Sequence, residues 1–174
     1  MTNNKKPTNN YAFIDGQNLY LAIKNLGWNL NYKKFRQYLR DKYKVEIAYL
    51  FIGYIPVNSD IYQSLQKDGF ILIFKEALQI GKLIKGNCDG ELILQAMIDF
   101  ESYHKAIIVS GDGDFACLIK HLYQKGKLET VMVPNGKMYS VLIKKTAKEK
   151  ITSISDLKTK LEKITTKKSS TDKD

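Results

Sequence analysis

Two short apolar runs in this chain each end in carboxylates. Tyr11-Ala-Phe-Ile14 runs into Asp15, and Ala106-Ile-Ile-Val109 runs into Ser110-Gly-Asp112-Gly-Asp114-Phe115. A third acid, Asp89, follows Lys85-Gly-Asn-Cys88 and opens an apolar helical stretch. Carboxylates crowded into a poorly hydrated place repel one another, so they gather at one edge of a sheet only with a cation. If the two runs are neighbouring strands, Asp15, Asp89, Asp112 and Asp114 converge. Oxygen ligands of this kind suit Mg²⁺ or Mn²⁺, and a cation held this way serves phosphate chemistry.

The individual residues differ in weight. Asp15 follows a strand expected to be buried on both faces, so it needs solvent or a partner; capping the next helix is its bland alternative. Asn18 can orient Asp15, contact a phosphate or cap that helix. Gly111 and Gly113 allow a tight strand-to-helix turn with unusual backbone angles, and place two acids at a helix N-terminus. A calcium loop is excluded, because no Glu follows at the required spacing. A glycine-rich phosphate cradle is excluded for want of a Lys-Ser/Thr pair. Asp89 alone reads as a helix cap, and Lys85 as a phosphate contact or a solvated cation. Gln95 and Asp99 lie roughly 240° and 280° round the helix from Asp89, so neither shares its face well. His104 and His121 lack metal-ligand spacing, and no Ser or Cys nucleophile has a His base nearby, so acyl transfer is unsupported. Cys88 and Cys117 fit a reducing compartment and are expected as small core residues.

Periodicity supplies the elements that position these groups. Strands are expected at 11–14, 45–55, 70–74, 106–109 and 128–133, with an edge strand at 151–154. Helices are expected at 18–26, 31–43, 59–67, from 89 to about 103, 114–125, 138–148 and 155–164, and a polar connection at 75–87. Continuous apolar strands alternating with helices predict an α/β fold, a mainly parallel sheet covered on both faces. In such a sheet the site forms at the carboxyl ends of the strands, where Asp15, Asp112 and Asp114 fall.

The 174 residues suit a single domain with a full core, expected at 11–164, between a disordered lead-in at 1–10 and a disordered basic tail at 165–174. No run is long and apolar enough for a membrane helix, and the polar N-terminus is not expected to be a signal peptide, so a cytoplasmic location is expected. The net charge of +10 favours polyanionic partners, nucleic acid first. Half of that excess sits in 144–174, with ten lysines against five acids.

The segments Phe13-Ile-Asp-Gly-Gln-Asn18, Lys85-Gly-Asn-Cys-Asp89 and Ile107-Ile-Val-Ser-Gly-Asp-Gly-Asp-Phe115 resemble the NYN domain family, the LabA-like branch of the PIN-like nucleases. The likeness covers roughly residues 10–135, and Ser-Gly-Asp-Gly-Asp-Phe is its most specific part. It implies a three-layer α/β/α sandwich and a metal-dependent ribonuclease. By motif, the acidic ligands fall on Asp15, Asp89, Asp112 and Asp114, holding Mg²⁺ or Mn²⁺, with Asn18 and Ser110 in support and Lys85 toward the substrate. Gln95 stands where the family often has a further Asp. One metal, two metals with other ligands, or a catalytically weak module that binds RNA or protein all stay open. Single-stranded DNA as the substrate and a homodimer stay open too.

Overall fold

The computed structural model describes residues 9–76, 78–80, 83–85 and 88–164, with no side chains for 76–87. Lys85 as a substrate contact, most of the lead-in and the basic tail therefore lie outside the described residues or side chains. The elements run β1 (Asn10–Asp15), α1 (Gly16–Asn25), α2 (Tyr32–Tyr43), β2 (Val45–Tyr54), α3 (Ser59–Lys67), β3 (Ile71–Glu76), β4 (Leu78–Ile80) and β5 (Leu83–Lys85). Then follow α4 (Asp89–Ile98), β6 (Ala106–Val109), α5 (Ala116–Gln124), β7 (Leu128–Val133), α6 (Val141–Ala147), β8 (Ile151–Ser153) and α7 (Lys158–Leu161).

Six strands form one sheet in the order β3-β2-β1-β6-β7-β8, and every pairing is parallel. The chain builds outward from β1 to β3, then returns to lay β6 against the other side of β1. The crevice between β1 and β6 is therefore the topological switch point, where an open α/β sheet admits a ligand.

Alternation along the central strands feeds two cores. Ala12 and Ile14 of β1, with Ile107 and Val109 of β6, join Leu19, Ile23, Phe35, Leu39 and Leu161 on one face. Tyr11 and Phe13, with Ala106 and Ile108, join Leu92, Phe115, Leu118, Ile119 and Ile143 on the other. Helices α1, α2 and α7 thus cover one face and α4, α5 and α6 the second, giving an α/β/α sandwich around a parallel sheet.

Four local expectations change. The connection at 75–87 contains an antiparallel pair, β4 with β5. Helix α4 stops at Ile98, because Tyr103 turns back into the core, where its hydroxyl donates to Ala96 O at 2.9 Å. The last helix is a single turn. Leu161 is buried beneath α2, and the chain then bridges Glu162 to Leu30, with Asn31 N donating to Leu161 O at 2.8 Å. Cys117 is exposed, not core, because α5 turns Leu118, Ile119 and Leu122 inward; Cys88 is half-buried.

Gly16 sets how closely α1 approaches the sheet. A Cβ there would lie 2.8 Å from the Phe51 carbonyl oxygen and would also strike the Ile52 side chain. Gly16→Ala is expected to destabilise the fold by about 1–3 kcal/mol, as overpacking against backbone does. Thermal melts should show the loss at about 2–4 °C per kcal/mol.

Candidate metal centre

Register fixes the centre of the site. Ile14 pairs with Val109, so Asp15 and Ser110 leave β1 and β6 side by side. Ser110 is fully buried; its Oγ donates to Asp15 Oδ2 at 3.0 Å and accepts from Asp112 N at 3.1 Å. Asn18 N donates to Asp15 Oδ1 at 3.1 Å, so Asp15 does cap α1. It faces the crevice all the same. Asn18 Oδ1 reaches across to accept from Gly111 N at 2.8 Å. Asp112 Oδ1 accepts from Asp114 N at 3.0 Å and opens a 3₁₀ turn, Gly113–Phe115, that leads into α5.

Neither Gly111 nor Gly113 has a positive φ, and of the two only Gly113 is needed for space, since a Cβ on Gly111 would meet ordinary contacts of 3.5 Å or more. A Cβ on Gly113 would come 3.1 Å from the Ser140 Cβ and closer still to its hydroxyl. Ser140 N in turn donates to Gly111 O at 3.0 Å, which ties the turn to the segment before α6.

Asp89 is the first residue of α4. One carboxylate oxygen from each of Asp89, Asp112 and Asp114 lies within 4.8 Å of the others; Asp89 and Asp112 are half-buried and Asp114 is exposed. Asp15 is outside this trio but shares a cavity of about 420 Å³ with Asp89 and Asp112. Three acids from two separate elements therefore meet, with Asp15 beside them. The donor set is all oxygen, which fits a hard divalent cation.

The electrostatics match that geometry. Burial pushes the Asp15 carboxyl above its ordinary range, the hydrogen bonds from Asn18 and Ser110 pull it down, and the charges of Asp89 and Asp112 push it up again. Burial raises the Cys88 thiol to about 11, so this neighbour of Asp89 stays protonated near neutral pH.

Gln95 and Asp99 turn elsewhere. Gln95 Nε2 donates to Asp99 Oδ2 at 2.9 Å one turn along α4. Burial and the Asp99 carboxylate raise the Tyr49 phenol to about 12, which places this pair over β2. Lys75 pairs with Glu91 at 3.3 Å. The cavity also includes Gln17, Leu21, Ala22 and Asn25 of α1, which sequence reasoning passed over. The spacing of Leu21, Ala22 and Asn25 from Asn18, one stripe of a helix leading away from an acid, was the available signal.

A carboxyl raised in the folded state disfavours folding once it ionises. The penalty is complete above its folded pKa and disappears as pH falls through that value toward the unfolded one. Without divalent cations at pH 7.5, Asp15→Asn should therefore raise Tm. The advantage should vanish in melts run at progressively lower pH.

The sequence model of the NYN domain matches residues 11–155. The low amplitude and bright protein LabA of Synechococcus elongatus is 24% identical over 169 residues, spanning 91% of this chain and 90% of that protein. A protein of unknown function from Vibrio parahaemolyticus, known from its crystal structure, superposes with a TM-score of 0.75 at 22% identity, covering 93% of this chain and all of that one. That likeness speaks for the architecture. With the switch-point crevice and its acids in place, the family match over most of the chain makes this protein a member of the NYN domain family.

Proposed function

We propose that the chain is a ribonuclease that hydrolyses RNA phosphodiester bonds with Mg²⁺ or Mn²⁺ held by Asp15, Asp89, Asp112 and Asp114. One observation supports it above the rest: carboxylates from α4 and from the β6–α5 turn meet within 4.8 Å, at the switch point of a nuclease-like domain. When bound, such a cation polarises a phosphodiester and makes an attacking water more acidic.

The chain's own groups then have separate tasks. Asp89, Asp112 and Asp114 are the ligands nearest one another. Asp15 completes the acidic wall, held in orientation by Ser110 and by the Asn18 amide. Asn18 and Ser110 act through others: the first latches α1 to the Gly111 turn, and the second joins Asp15 to Asp112. The net charge of +10 supplies a salt-dependent attraction for RNA that the acids cannot supply. Lys85 is proposed as a further substrate contact. Among the described residues no helix is long and apolar enough to cross a membrane, and a cytoplasmic site of action is part of the proposal.

Gln95 favours a second reading. Its amide is engaged with Asp99 and adds no charge to the trio, which suits a single cation or an RNA-binding module without turnover.

The deciding assay incubates purified protein with labelled single-stranded RNA and Mn²⁺, with and without EDTA. Cleavage that EDTA abolishes is expected; its absence leaves the binding module. Asp112→Asn keeps the acceptor for Asp114 N and should retain the native circular dichroism while losing at least about 100-fold in rate. Ser110→Ala should lower metal affinity or activity about tenfold, the usual loss when a group that orients a ligand is removed.

A further inference from the structure

The acids occupy only one end of their cavity. The rest of it runs along α1, past Gln17, Asn18, Leu21, Ala22 and Asn25. From Asn18 to Asn25 this wall is about 10 Å long at the helical rise.

Its chemistry differs from that of the acidic end. Among the described residues no Lys or Arg lines it. The nearby Lys24 instead holds its ammonium 5.5 Å from the centre of the Tyr20 ring. The α1 side chains that line it carry no positive charge with which to attract phosphates. It offers carboxamides, which both donate and accept hydrogen bonds, around an aliphatic patch. Among the described residues no hydrogen bond engages the Gln17 or Asn25 amides, and both side chains are exposed. Leu21 leaves 46% of its surface uncovered beside them. Planar, uncharged groups rich in donors and acceptors fit such a surface, and nucleobases are of that kind.

We propose that the α1 wall is a nucleoside subsite, in which a base and its ribose lie along Gln17, Leu21 and Asn25 while the attached phosphate faces the acids. The proposal rests on the nuclease reading and deepens it, by making α1 the element that selects the nucleotide beside the scissile bond. Leu21 and Ala22 give the apolar floor, and the Gln17 and Asn25 amides read polar edges. Asn18 is spoken for through its carbonyl oxygen, which Gly111 N occupies. It therefore positions the turn rather than discriminates between bases.

The test uses the full chain, Mg²⁺ and each of the four nucleoside 5′-monophosphates, followed by ¹H–¹⁵N spectra, with ribose 5-phosphate as the probe that lacks a base. At least one nucleotide should move the backbone amide signals of Gln17, Leu21 and Asn25 and the side-chain amide signals of Gln17 and Asn25, and ribose 5-phosphate should not. The double variant Gln17→Ala, Asn25→Ala should raise the Kd of that nucleotide about tenfold, equivalent to about 1.4 kcal/mol. It should leave the ribose 5-phosphate response at the acidic end unchanged. Identical shifts from nucleotide and sugar phosphate, or no response on α1, would overturn the subsite. The RNA cleavage assay runs beside it. Base-dependent shifts without Mn²⁺-dependent cleavage would defeat the nuclease reading while keeping α1 as a nucleotide-binding wall. If cleavage occurs, the double variant should flatten its base preference and raise KM with kcat nearly intact; an unaltered cleavage pattern would also overturn the subsite.

Discussion

The parallel pairing of β1 with β6 sets two strand ends beside each other, and the hydrogen bond from Ser110 to Asp15 joins them at 3.0 Å. The chain reaches this arrangement by laying down β1, β2 and β3 in one direction and returning to the other side of β1. Helix α1 leaves one side of the crevice, and the Gly111–Asp114 turn leaves the other. A sheet assembled in simple sequential order would have separated Asp15 from Asp112 by intervening strands. The acidic site is thus a consequence of strand order, and the local sequence at each end only decorates it.

Two close approaches keep the crevice in shape. Gly16 lets α1 sit against the β2 backbone, and Gly113 lets the second turn sit against Ser140. Asn18 then bridges α1 to Gly111. Acids on such a frame have little room to move apart, and burial together with mutual repulsion holds the Asp15 carboxyl above its ordinary range. Stability is given up locally to keep these acids together, a trade common at functional sites.

Much of this was legible in the chain itself. Four apolar residues followed by an acid is a local pattern, so the ends of β1 and β6 could be read directly, as could α3, whose bounds match the expected 59–67. That Asp15 and Ser110 would stand side by side, with Asp112 close behind, could be read from the strand ends, whereas Asp89 entered as a ligand only through the family resemblance. What could not be read depended on tertiary partners. Helix α4 ends early because Tyr103 finds Ala96 O, and α7 is short because Glu162 finds Leu30. The short strands β4 and β5 hide in a stretch whose polar and glycine content reads as loop. The α1 wall was missed because its residues look like any exposed helix stripe until the acids are seen at its head.

The hydrogen bonds of the crevice all point one way. Asp114 N donates to Asp112, Asp112 N to Ser110, and Ser110 and Asn18 N both donate to Asp15. Asp15 is the terminus at which these dipoles end, with an acceptor role on each oxygen. A proton arriving there would compete only with the Ser110 hydroxyl hydrogen, which can rotate, whereas the backbone donors of Asn18, Asp112 and Asp114 keep their sense. That carboxyl is thus joined, through a single hydroxyl, to the backbone of a turn on a different strand.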